Sequence, residues 1–185
     1  MATLYTHAVA GLGLARLYTG RPMPWSFWTL AAILPLIPDL DVFSTYPYGS
    51  PLGHRGITHS LVFALATGMI AASVLHRPFR RQWWMLAALF FAVVASHGLL
   101  DALTRGGENI PFFWPFPGRY GNWGPIPVSD ICFDLPDPRT SRSIRSELLW
   151  VWLPTIVAVA LTTAYRRVRR RGSPPAGSTS GPTVE

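Results

Sequence analysis

Charge is what this sequence has least of. Only 14% of its 185 residues are charged, whereas 49% are hydrophobic. Soluble domains carry about 25% charged residues. That shortage, with long apolar runs, excludes an ordinary soluble domain and points to an integral membrane protein. Lysine is absent, so all 16 basic residues are arginine; this is compatible with genome composition and carries no functional reading. Cysteine occurs once, at Cys132, which excludes an internal disulfide. No internal repeat is evident. No cleavable leader is expected, because the first apolar segment lacks a basic stretch before it and contains His7. What is plentiful instead is Trp (8) and Pro (18), which suit interfacial belts and Pro-rich loops. A net charge of +7 would suit nucleic acid. The arginines cluster at segment ends, however, where they read as topology signals, and no nucleic-acid partner is expected.

Five apolar segments run along the chain: Leu4–Tyr18, Pro24–Ile37, Ile57–Leu75, Trp83–Leu103 and Leu148–Tyr165. A span needs about 20 residues, so the first two are marginal and the other three are long enough. The expected fold is all-α, a polytopic membrane helical bundle of four or five segments over residues 1–171, with a long aromatic and Pro-rich loop at 105–146 and a disordered tail at 172–185. Arg16 and Arg21 lie between the first two segments, Arg77, Arg80 and Arg81 between the third and fourth, and Arg166, Arg167, Arg169, Arg170 and Arg171 after the fifth. If all five cross, these groups share one side, which the positive-inside rule makes the cytoplasm. The expected location is then a bacterial inner membrane, multi-pass, with the amino terminus outside.

Ionisable groups at membrane depth are costly and mark candidate functional sites. In this topology His7, Asp39, Asp41, His54, His59, His97, Asp101 and Glu147 all fall at the outer ends of their segments. Imidazole and carboxylate are also metal-ligand types, so the convergence predicts an outward-facing polar metal cup. His97 and Asp101 are four apart and share a helix face; the plain alternative is a hydrogen bond that packs two helices. Asp39 and Asp41 follow Pro38 and diverge in extended backbone but converge in a turn; the alternative is that Asp39 caps a turn and Asp41 does nothing. Thr58 is read as the N-cap of the third segment, with His59 in its first turn, where a neutral, metal-bound imidazole avoids a clash with the helix dipole. The Arg55 guanidinium suits a phosphate or carboxylate oxygen; alternatively it pairs with Asp39 or Asp41. Glu147 is read either as a helix N-terminal charge or as a general base. His76 reads as interfacial, and Asp130, Asp134 and Asp137 as solvated. The aromatic stretch 106–122 reads first as an interfacial anchor, and second as a cover for the site or an acyl-chain binder.

Together, His7, Pro38-Asp39-Leu40-Asp41, His54-Arg55-Gly56-Ile57-Thr58-His59-Ser60, His97 with Asp101 and Thr104, then Gly106 and Trp114-Pro115-Phe116 resemble the YdjM-like family of inner-membrane proteins classed as metal-dependent hydrolases, whose founding members are linked to the LexA regulon. The resemblance runs from about residue 5 to residue 120. It implies a hydrolase but no substrate. The expected ligands are His7, Asp39, Asp41, His54, His59, His97 and Asp101, which are too many for one four-coordinate zinc and argue for two ions or for supporting roles. One or two Zn or Mn ions are expected, with metal-activated water, Arg55 stabilising negative charge, and Asp41 or Glu147 as the base. The membrane location favours a phosphoester or lipid-like amphipathic substrate, with membrane lipids as surroundings. The alternative function is a non-enzymatic metal-binding protein, in transport or as an envelope scaffold.

Overall fold

The computed structural model describes residues 2–105, 109–124, 126–127 and 144–171. Gly106, Asp130, Cys132, Asp134, Asp137 and the tail at 172–185 lie outside the described residues. Among those described, the chain is mostly helical: α1 (Leu4–Tyr18), α2 (Trp25–Ile33), α3 (Leu61–Leu75), α4 (Trp83–Ala102) and α5 (Leu153–Arg171). A parallel pair of two-residue strands, β1 (Thr104–Arg105) and β2 (Ile126–Pro127), sets Thr104 opposite Ile126.

Before His97, α4 is apolar on every face, the pattern of a helix surrounded by other apolar groups. It is the central element, and 11 of its 20 residues are buried. Its widest packing partner is α3, followed by α1. Gly68 sets the α3–α4 approach: a Cβ there would stand 2.5 Å from the backbone nitrogen of Phe91. Such backbone-to-backbone contact through small residues is how helices pack in lipid, where no hydrophobic force pulls them together. Phe27, Leu86, Phe90 and Val93 fill the interior, and Phe27 meets the ring of Phe79 edge-on at 5.5 Å. The outer faces are apolar too. Val62, Leu65, Ile70 and Val74 of α3, with Leu153, Ile156 and Leu161 of α5, are exposed, an exterior suited to hydrocarbon and unsuited to water.

Two helices are long and apolar enough to cross a membrane: α4, and the 28-residue helix Ile144–Arg171 that contains α5. The third segment, expected as one span from Ile57, divides. A 3₁₀ turn, Ile57–His59, comes first, and α3 then has only 15 residues. The second segment divides likewise, into α2 and the 3₁₀ turns Leu34–Leu36 and Pro38–Phe43. Pro35 and Pro38 explain this, because neither can donate the backbone bond that continues an α-helix. In the last helix a π turn, Leu148–Trp152, precedes α5. Pro154 has no N–H for the carbonyl a turn earlier, and a widened turn absorbs that loss.

The bundle has two polar ends. α1, about 22 Å long at 1.5 Å per residue, carries His7 in its second turn and Arg16 in its last. At the Arg16 end, Arg81 Nη2 donates to Thr19 Oγ1 at 2.9 Å and Arg166 Nη1 donates to the Thr19 carbonyl at 2.9 Å. Arginines from all three predicted groups therefore meet at one end.

Candidate metal centre

The other end collects the histidines and aspartates. His97 and Asp101 share the inner face of α4, both buried, as their spacing predicts. His7 of α1 stacks on His97, with ring centroids 4.1 Å apart, and its Nε2 lies 3.6 Å from Asp101 Oδ1. Asp39 and Asp41 sit in the 3₁₀ turn after Pro38. The tight turn sends them to two sides of His59: Asp39 Oδ1 is 3.6 Å from His59 Nε2 and Asp41 Oδ2 is 3.3 Å from His59 Nδ1. Asp41 Oδ1 also meets His54 Nδ1 at 2.6 Å.

The loop between them is held in an unusual shape. Arg55 has φ 61°, a left-handed conformation that costs a non-glycine residue roughly 1–2 kcal/mol. Gly56 follows, where a Cβ would stand 2.3 Å from the Pro51 carbonyl. This turn buries the Arg55 side chain almost completely and brings its Nη2 to 3.5 Å from Asp101 Oδ2. The pairing with Asp39 or Asp41 considered from sequence gives way to Asp101. The aromatic loop braces the same turn. Arg119 Nη2 donates to the Arg55 carbonyl at 3.1 Å and Nη1 to that of Gly49 at 2.8 Å, while Leu61 N donates to Phe112 O at 3.0 Å.

One local expectation is corrected. Ser60, not Thr58, caps α3, its hydroxyl accepting from Phe63 N at 3.2 Å. Thr58 instead donates its hydroxyl to Asp41 Oδ2. His59 thus stands before the helix rather than in its first turn, and the dipole conflict does not arise.

Four donor atoms converge: Nε2 of His59, Nε2 of His97, Oδ1 of Asp39 and Oδ2 of Asp101, all within 4.8 Å of one another. The two imidazole nitrogens are 3.1 Å apart, and Asp39 Oδ1 lies 3.3 Å from His97 Nε2. Asp101 Oδ2 lies 3.6 Å from His59 Nε2 and 3.9 Å from His97 Nε2. Ligands about 2.0–2.1 Å from a tetrahedral zinc stand about 3.4 Å from each other, so the spacing fits. A second group, Asp39, Asp41, His54 and His59, shares two of these residues.

Polar bookkeeping points the same way. His7 Nδ1 and Nε2, His97 Nδ1, Asp39 Oδ1 and both Asp101 oxygens are buried without a hydrogen bond among the described residues. Buried polar atoms normally have partners, and a bound cation would supply them for Asp39 Oδ1 and Asp101 Oδ2, which face the histidine Nε2 atoms. Three carboxylates against one guanidinium leave the cluster at −2 when its imidazoles are neutral, a deficit one divalent ion cancels. Burial alone would raise both loop carboxyls. The imidazoles of His59 and His97 beside Asp39, and those of His54 and His59 with the Thr58 hydroxyl beside Asp41, outweigh it and hold both well below the usual range. Burial opposes the His59 imidazolium, yet the carboxylates of Asp39 and Asp41 on either side of the ring prevail and raise it to about 9. The cluster therefore draws positive charge to His59.

Glu147 stands beside this set. Its carboxylate accepts from Thr3 N (2.8 Å), Thr3 Oγ1 (2.6 Å) and Thr6 Oγ1 (2.6 Å), closing the amino-terminal turn of α1 just before His7. Trp152 Nε1 donates to the same Thr6 hydroxyl at 2.8 Å, because a π turn brings residues five apart onto one face. Reading the sequence did not find Thr3, Thr6 or Trp152, and single threonines give no local signal of a partner over 140 residues away.

A helical protein with an apolar exterior, two helices of spanning length and a buried His/Asp cluster has the make-up of a membrane protein with a candidate metal centre. More particularly, the chain belongs to the YdjM inner membrane protein family, whose pattern matches residues 1–171, beyond the stretch that carried the sequence resemblance. It is 34% identical over 178 residues to the inner membrane protein YbcI of Escherichia coli (strain K12), an alignment that covers 90% of this chain and 100% of that relative. No solved structure matches it.

Proposed function

We propose that the protein is a multi-pass inner-membrane hydrolase whose metal centre faces the outer side and acts on a phosphoester or lipid-like amphipathic substrate. The observation that carries this reading is the convergence of His59, His97, Asp39 and Asp101 around buried polar atoms that make no hydrogen bond. These four, with His7 beside Asp101, would hold a zinc or manganese ion. When bound, such an ion supplies Lewis acidity and an activated water at neutral pH. The chain's own residues do the rest. Asp41 grips His54 and His59 by their Nδ1 atoms, which leaves each ring's Nε2 directed away from it and fixes the rings in place, as an outer carboxylate does for ligating histidines. The Asp41–His54 pair would serve as general base, the His54 imidazole taking a proton from the attacking water while Asp41 holds its Nδ1 side. Arg55, held at the cluster by its turn, stabilises negative charge on the substrate. Glu147 positions His7 through Thr6. Five crossings, with arginines inside and the cluster outside, fit the positive-inside rule, provided local thinning or tilt accommodates the short helices.

Near-complete burial of His7, His97 and Asp101 favours a second reading, a closed structural metal site. Metal content of detergent-purified protein, beside Asp101→Ala, tests both. Near-stoichiometric zinc or manganese, lost in the variant, supports a metal centre; turnover of phosphodiester or phospholipid substrates then separates enzyme from structural site. Protein that takes up no ion from excess metal would overturn both.

A further inference from the structure

We propose that the arginine end of the bundle is a binding site for one anionic phospholipid, its headgroup phosphate held by Arg16, Arg167 and Arg170 and an acyl chain lying between α1, α2 and α5. The site is independent of the metal centre.

The last turn of an α-helix leaves carbonyls without helical donors, and in α1 arginines from α5 take them up. Arg166 donates to the carbonyls of Arg16 (3.2 Å), Leu17 (2.5 Å) and Thr19 (2.9 Å), and Arg170 donates to that of Gly20 at 2.6 Å. Arg16 turns back on the Thr19 carbonyl at 3.0 Å. These bonds fix the guanidinium planes but neutralise no charge. Among the described residues, none of Arg16, Arg166, Arg167 and Arg170 forms an ion pair, and Arg167 makes no hydrogen bond. The four arginines, with Gly20 and Thr163, line a cavity of about 130 Å³, roughly four waters' worth at about 30 Å³ each and enough for a phosphate group.

Charge alone would suit any phosphate. A second cavity decides the occupant. It measures about 420 Å³, meets the first at Arg16 and runs along Leu12, Trp28, Ile156, Val159 and Ala160. That groove leads from the arginine cavity toward the middle of α1 along the apolar side chains of α5. An anion site continuous with an apolar groove on a lipid-facing surface matches a phospholipid, and basic pockets between membrane helices on the cytoplasmic side have this chemistry.

The test is native mass spectrometry of the purified full-length protein equilibrated with equal amounts of phosphatidylglycerol and phosphatidylcholine. Phosphatidylglycerol is expected to be retained preferentially. Arg167→Gln should weaken its retention about fivefold, and Ala160→Trp, which fills the groove without changing charge, should weaken it as well. Unchanged melting temperature in both variants would show that the fold survives. Equal retention of the two lipids would overturn the proposal. So would full phosphatidylglycerol binding by both folded variants, or displacement of the lipid by millimolar inorganic phosphate, which would make this a plain anion pocket.

Discussion

The two ends of the bundle hold their polar groups by opposite means. At the His/Asp end, side chains face side chains: four imidazoles, three carboxylates and one guanidinium satisfy one another in part, with a shortage of positive charge. At the arginine end, side chains face backbone. Arg16, Arg166 and Arg170 use donors on carbonyls at and just past the end of α1, with a surplus of positive charge. Carbonyls at a helix terminus are a structural need that any such helix has, so meeting them explains the arginines' positions without a function. Nothing comparable explains three aspartates, one buried and two half-buried, around His59, because replacing a buried polar cluster by apolar groups is often neutral or stabilising. The first end thus demands a chemical reason, and the second only permits one.

The comparison sharpens most at Asp41. If it orients ligating histidines through Nδ1, Asp41→Asn should weaken metal affinity about 10–100-fold, measured by competition with a chromophoric chelator. The same substitution should leave phosphatidylglycerol retention at the far end unchanged. An Asp41→Asn protein that binds metal as tightly as the native one would reduce Asp41 to packing.

A smaller effect is expected from pH. With a pKa raised to about 9 in the metal-free protein, His59 is protonated at neutral pH, whereas ligation needs neutral imidazole. Each ion bound should therefore release about one proton from His59, and affinity should rise about tenfold per pH unit from pH 7 toward 9. Titration in buffers of different ionisation heat reads the proton count directly. A count of zero between pH 7 and 8 would take His59 out of the ligand set.

What could be read from the sequence follows the range of the interactions. His97 and Asp101 were legible because helical spacing is local, and the clustering of arginines at one end was legible because topology follows loop charge. The mostly helical class follows from the apolar runs. The cap falls on Ser60 rather than Thr58, and local sequence does not separate them because both are good caps two residues apart; the choice is made by Asp41, which lies 17 residues away and takes the Thr58 hydroxyl. Helix lengths were overread for the third segment because an apolar run does not show where a 3₁₀ turn ends and an α-helix begins. Glu147 had two open readings, and its partners Thr3 and Thr6 lie more than 140 residues away.

Arg166→Gln carries the comparison to its smallest effect. Its guanidinium holds three carbonyls of α1, and a cation there also opposes the negative end of the helix dipole. Removing it should cost about 1–2 kcal/mol of stability, read as a modest fall in melting temperature in detergent. Metal affinity should stay within about twofold of the native value, since sites that share no partners act independently, and α1 keeps the two ends about 20 Å apart. The outcome that would break the comparison is a metal affinity that falls along with stability. α1 would then be transmitting strain from Arg166 to His7, and the arginine end would be part of the metal centre's support rather than a separate site.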